Sequence, residues 1–325
     1  MANDEHKFRL VIRSDVDGLF CAVLLRELDV INEIKFVHPN HVQDVLVLLS
    51  KDDIAATLPF DGRFQRSFDQ SNEQIRLKEA PSNYVSERRA PSAARIIYDY
   101  FGGQDAFQAI DPSLMNAVDK AGSSHFNIYD VLNPTGWAPL NFVTDARTGL
   151  GHCREFRISN YDLMANLKEY CRDHTIDEIL LLQDVKERVD LYNLHEGEFV
   201  SQIRRSATTH HNLVVLDLQG EATVLPGNRF MIYVLFPEAN ISIQKLWGGD
   251  RLNTVFATGE SIFDNTSNTN IGKLALRYGG GGHESAGTRQ VDNDEAGHVQ
   301  DELIAQIVSD GYLNGSDRKV SCVER

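Results

Sequence analysis

Residues 7–14, KFRLVIRS, alternate apolar and polar positions as a half-buried strand does. They lead straight into Asp15-Val16-Asp17-Gly18 and then into LFCAVLLREL, whose apolar residues occupy most faces of a helix. IKFVHP follows as a second short strand. A helix apolar on most faces must be buried between layers, so strand, Asp/Gly turn, helix and strand form the opening of an open α/β sheet. In such sheets ligands bind outside the carboxyl ends of the strands, where the DVDG turn falls.

The chain has 325 residues, about twice a usual single domain, so two domains are expected. From 91 to about 172 the periodicity is helical, in PSAARIIYDYF, DPSLMNAVDKAG and SNYDLMANLKEYC. Residues 175–205 keep a near-helical period, interrupted near Gly197, and are expected to connect the domains. From 212 the period changes: NLVVLDL, RFMIYVLFP and ISIQKLW read as β-rich segments. A helix, NIGKLALRYG, then a glycine run, a strand and a last helix from about 293 to 309 complete the pattern. The expected division is 1–195 and 196–325.

Lys and Arg number 32 against 47 Asp and Glu, a net charge of −15. That balance argues against a protein that coats duplex nucleic acid, although a local site can still take a short phosphorylated ligand. The basic pairs Arg88-Arg89 and Arg204-Arg205 are too short for a strand-tracking groove. Cys21, Cys153, Cys171 and Cys322 lack the paired spacing of a zinc knuckle or redox motif, which fits a reducing cytoplasm. The opening MANDEHKFRL has no apolar signal core, and no apolar run has the length of a membrane span.

Asp15 and Asp17 end the first strand two residues apart, so in extended chain both carboxylates point the same way. Adjacent carboxylates repel unless a cation lies between them, which is what a divalent metal site exploits; the alternative is a solvated Asp-Gly turn. Asp53, Asp69 and Asp119 stand at further intervals, and each taken alone reads equally as a cap or surface charge. Asp69 closes a short strand and so falls on the same sheet edge as Asp15. The second signal is Gly279-Gly280-Gly281-Gly282-His283, whose backbone N–H groups can cradle an anion beside a titratable donor; a flexible connector is the alternative.

SDVDGLFCAVLL and GGGGHESAG, with LPFDGRFQRSFDQSNEQIR, NPTGWAPLNFVTDARTGLG and FRISNYDLMANL between them in order, resemble the DHH/DHHA1 phosphoesterase superfamily. The likeness lies with its RecJ-like and exopolyphosphatase-related branch and covers nearly the whole chain. It implies an α/β protein: an N-terminal DHH-type domain with a mostly parallel sheet, a helical connector, and a smaller C-terminal DHHA1-type α/β domain. It also implies that Asp15, Asp17, Asp53, Asp69 and Asp119 are the catalytic and metal-ligating residues. Gly279, Gly280, Gly281, Gly282 and His283 would bind substrate, together with Arg13.

The departures from the family pattern are specific. Arg13 stands where a ligand histidine is expected, Gln70 and Ser71 replace the two histidines after Asp69, and Gln244 replaces an arginine. A fixed positive charge at Arg13 repels the ion that the acids attract, and is expected to neutralise Asp15 and Asp53 instead. The expectation is a phosphoesterase fold with a weakened or silent metal site, a pseudoenzyme that binds or slowly hydrolyses a nucleotide, short oligonucleotide or polyphosphate. The alternative is an active exopolyphosphatase- or nanoRNase-like phosphohydrolase using the five aspartates. The implied cofactor is Mg2+ or Mn2+ in the active case and none in the silent one. The expected partner is a small phosphorylated ligand or short oligonucleotide, with no membrane and with a homodimer left open.

Overall fold

The computed structural model describes residues 6–37, 48–70, 81–87, 89–150 and 156–318. The chain divides into two compact units, Met1–Asn193 and Leu194–Arg325. The division falls within one long helix and two residues before the expected position.

The first unit is built on five strands, β1 (Phe8–Ile12), β2 (Ile31–Phe36), β3 (Asp53–Ala56), β4 (Arg66–Phe68) and β5 (Tyr84–Val85), in the order β2-β1-β3-β4-β5. Every pairing is parallel. Leu10, Val11 and Ile12 of β1 are all fully buried, as a central strand covered on both faces requires. The helix α1 (Val16–Glu27) buries every residue from Val16 to Leu25. It packs on α2 (Ala93–Tyr100), α3 (Pro112–Gly122) and, beyond α4 (Ile128–Leu132) and α5 (Ala138–Thr144), on α6 (Asn160–Asp173). That burial explains its lack of a polar face. The order places β2 and β3 on opposite sides of β1, so a crevice opens beyond the carboxyl ends of β1 and β3, the switch point where ligands of such sheets bind.

After α7 (Ile176–Leu181) comes α8 (Gln183–Ser206), which runs without a break through Gly197. The expected interruption there does not occur; a single exposed glycine costs a helix only about 1 kcal/mol relative to alanine, too little to break it.

The second unit has six strands, β6 (Ala207–His210), β7 (Leu213–Asp217), β8 (Ile241–Trp247), β9 (Asn253–Glu260), β10 (Gly281–His283) and β11 (Ala286–Asp292), in the order β10-β11-β9-β8-β7-β6. Only β7 and β8 pair in parallel. Leu213, Val215, Ile241, Ile243, Phe256 and Val291 line one face and pack on α10 (Ile271–Leu276) and α11 (Ala296–Arg318). Part of RFMIYVLFP, read as β-rich, is instead the short helix α9 (Met231–Leu235). The Asn228 side chain accepts the Phe230 N–H at 3.0 Å and turns the chain into it, which apolar content alone does not reveal. No helix among the described residues is long and apolar enough to cross a membrane.

Arg289 is an anomaly in this core. It is 2% exposed, donates one hydrogen bond to Thr258 Oγ1 at 3.2 Å, and leaves its Nε without a partner among the described residues. The rings of Phe256 and Tyr278 lie 5.6 and 5.5 Å from the guanidinium carbon, and burial pulls its pKa down to about 10. A buried charge without a counter-charge is unfavourable. Arg289→Met should therefore raise stability by about 1–3 kcal/mol, read as a higher urea midpoint at unchanged slope. A lower midpoint would mean that the ring contacts outweigh the burial cost.

Candidate functional site

The carboxyl edge of the first sheet carries the predicted acids, in a geometry different from the extended one expected. Strand β1 ends at Ile12, Asp15 caps α1, and Asp17 lies inside its first turn. Asp15 Oδ1 accepts the Gly18 N–H at 2.9 Å. A β-carbon on Gly18 would lie 2.2 Å from the Arg13 carbonyl oxygen, so this turn requires glycine. Helical geometry separates the two carboxylates. Asp15 Oδ2 meets Arg13 Nη2 at 2.8 Å, whereas Asp17 accepts the N–H groups of Ala93 and Ala94, at 3.0 and 2.9 Å, where α2 begins. Burial, and next the charge of Asp15, push the Asp17 pKa up to about 6.

Arg13 is the centre of this edge. Its pKa is raised chiefly by Asp15, with further contributions from Asp17, Asp69 and Asp145. Its backbone N–H donates to Thr57 Oγ1 at 3.1 Å and so ties the end of β1 to the end of β3. Thr57 has φ +60°, an unfavourable backbone for a β-branched residue, and its own N–H bonds the Phe68 carbonyl at 3.1 Å. Asp69, buried, follows β4 directly.

Asp119 is also near the start of α2, but its carboxylate is occupied. Arg95 Nη2 and Nε donate to Oδ2 at 2.5 and 3.0 Å, and Ser92, the cap of α2, donates to Oδ1 at 3.0 Å. Asp53 does not belong to the cluster. It opens β3 opposite Arg9, at the amino edge of the sheet, where Arg9 Nε and Nη2 bond its two oxygens at 2.6 and 3.0 Å. The expected Arg13–Asp53 pairing is thus replaced by Arg9–Asp53, and β3 presents Thr57 at its carboxyl end. Ser71 lies outside the described residues; Gln70 follows Asp69.

Divalent ions are the cofactor the fold implies, and these residues do not fit a two-ion centre. Among the described residues no three His, Cys, Asp or Glu side chains are grouped so as to hold a metal ion. Asp15 and Asp119 are each bound by an arginine, and Asp17 is turned onto a helix N-terminus. At an effective dielectric of about 20, unit charges about 4 Å apart interact by roughly 4 kcal/mol, so a divalent ion beside Arg13 meets about twice that in repulsion.

In the second unit the glycine run is not an open anion cradle. Gly281–His283 form the edge strand β10 against β11. A β-carbon on Gly280 would lie 2.4 Å from the Thr288 carbonyl, and one on Gly282 would lie 2.2 Å from that of Ala286, so these glycines allow close strand approach. Register places Gln244, Ala257, Thr288 and Gly281 in one row, with Ser242, Gly259, Ala286 and His283 in the next. Both rows lie on the face opposite the helix-packed core, and His283 and Thr288 are exposed there.

Sequence reasoning missed Thr57, Arg95 and Asp145. Arg147 Nε and Nη2 each donate to Asp145 at 2.7 Å. The stretch holding these two residues was legible as a motif, but nothing in it assigned them a role.

A parallel sheet with charged residues at its switch point, followed by a mixed sheet with a glycine-rich edge, is a two-unit α/β architecture. The chain is similar to the pGpG-specific phosphodiesterase PggH from Vibrio cholerae, at 49% identity and TM-score 0.78 over 94% of this chain and 100% of that one. It is also similar in fold to RecJ from Thermus thermophilus solved with Mn2+, at 13% identity and TM-score 0.50, over 93% of this chain and 52% of RecJ. No family model and no curated protein sequence matches. The chain belongs to the DHH/DHHA1 phosphoesterase superfamily.

Proposed function

We propose that this protein hydrolyses the internal phosphodiester of a short 5′-phosphorylated dinucleotide, with pGpG as the reference substrate. The supporting observation is the 49% identity with PggH along the whole of that chain. Arg13 at the switch point supplies a guanidinium for the scissile phosphate, and Asp69 beside it accepts a proton from the attacking water. Attack at phosphorus breaks the P–O3′ bond, consumes one water and leaves two molecules of GMP. The edge strand Gly281–His283, with Gly279 and Gly280 leading into it, is taken as the substrate-binding part of the second unit. The compartment that suits the buried free thiols of Cys21 and Cys171 is the reducing cytoplasm.

The test is chromatography of GMP released from pGpG by the full chain, in EDTA, Mg2+ and Mn2+, beside pyrophosphate and short polyphosphate. Release of GMP is expected, with Asp69→Asn reducing it by roughly 100-fold or more while pGpG still binds. Absence of GMP under all three conditions overturns the reading. A second reading, a pseudoenzyme that binds the dinucleotide without cleaving it, is favoured by the Arg13–Asp15 and Arg95–Asp119 pairs. It expects saturable pGpG binding with no product.

A further inference from the structure

The acid cluster carries its own cation. Arg13 Nη2 lies 2.8 Å from Asp15 Oδ2, and the guanidinium is also drawn by Asp17, Asp69 and Asp145. It is not fully consumed by that pair. The Arg13 side chain is 37% exposed, while its Nε is itself buried and has no hydrogen-bond partner among the described residues. Its backbone is fixed across the switch point by Thr57, so the fork is delivered to the place where a ligand of this sheet binds. The other acids near the edge are engaged as well: Asp119 by Arg95 and Ser92, Asp145 by Arg147, and Asp17 by two backbone N–H groups.

Resting on the short-nucleotide reading above, we propose that the guanidinium of Arg13 takes the functional place of a divalent cation. It grips a phosphoryl oxygen of the ligand directly, so that ligand binding requires no metal ion. A planar fork matches two oxygens of a phosphate as well as it matches a carboxylate. Asp15 holds one edge of the fork in the free protein, and a phosphate arriving from the open side meets the exposed part of the guanidinium. The acids then serve to hold and orient a fixed positive charge rather than to attract a mobile one. The ligand class follows from this: an anion with at least two coplanar acceptor oxygens, as in a phosphodiester, and not a neutral nucleoside.

The experiment is calorimetric titration of the full-length protein with pGpG in EDTA and, separately, with Mn2+ alone. It is run on the natural protein, Arg13→Ala and Arg13→Lys. The natural protein should bind pGpG in EDTA and give no saturable heat with micromolar Mn2+. Arg13→Ala should weaken pGpG binding by roughly 10- to 100-fold, the loss of a charge-assisted hydrogen bond. Arg13→Lys keeps the charge but not the fork, so it should still exclude Mn2+ while binding pGpG less well. Micromolar Mn2+ binding by the natural protein, with pGpG binding only in its presence, overturns the proposal. GMP release seen only with Mn2+ would accompany that result and leave the phosphodiesterase reading standing. If pGpG neither binds in EDTA nor is cleaved with Mn2+, both fall.

Discussion

Arg188→Met should destabilise the protein by about 3–5 kcal/mol. The Arg188 side chain is fully buried on α8, and its guanidinium is satisfied almost completely. Nη1 donates to the Asp184 carbonyl at 2.7 Å and to Glu187 Oε1 at 3.0 Å; Nη2 donates to the Ile158 carbonyl at 2.8 Å and to Asn160 Oδ1 at 3.2 Å. The Phe156 ring lies 4.1 Å from the guanidinium carbon. Methionine fills most of this volume but leaves the half-buried Ile158 carbonyl and Asn160 amide oxygen without their donor, and each acceptor stranded that way costs up to about 1–3 kcal/mol. With a urea slope of about 2–3 kcal/mol per M, the midpoint should fall by roughly 1–2 M. A loss below about 1 kcal/mol would show that the segment before α6 finds other partners. Arg289 gives the contrast, since the same substitution there removes a charge with one hydrogen bond and should stabilise. Burial alone does not set the sign; the number of partners stranded does.

Much of the first unit was legible because its signals are local. An alternating strand, an Asp-Gly turn and a helix apolar on most faces are each decided by neighbouring residues, and together they specify β1, α1 and β2. Asp15 and Asp17 stood out by type and spacing, and the structure places them at the start of α1, but their directions differ from those expected. A strand that stops at Ile12 rather than Asp17 changes a shared face into helical divergence. Asp53 failed for a non-local reason. Which edge of the sheet it occupies depends on the register of β3 against β1, which places it beside Arg9, and no spacing along the chain encodes that register. The same holds for the glycine run, whose residues look like a flexible cradle until β11 and its carbonyls are brought against them.

Asp17 makes the pH dependence of stability a direct probe of the site. Its carboxyl is buried, and its pKa lies at about 6 against an ordinary 3.8, raised first by burial and then by Asp15. Between those two values the folded state holds a proton that the unfolded chain releases. The contribution of Asp17 is therefore fully present below pH 4 and is lost as pH rises through 6, by on the order of 3 kcal/mol. Groups with depressed values, such as Asp61 beside Arg63, slope the other way. They are common to the natural protein and to Asp17→Asn, so the difference between the two isolates Asp17. Urea unfolding at pH 4, 5, 6 and 7 should show the two proteins close together at pH 4 and Asp17→Asn progressively more stable toward pH 7. Parallel curves would place the Asp17 pKa in its ordinary range and remove the case for a desolvated carboxyl at this edge. The predicted divergence would mean that the protein keeps a charged, buried aspartate at neutral pH at the expense of its own stability. Such an expense persists where the strained group serves the site rather than the fold.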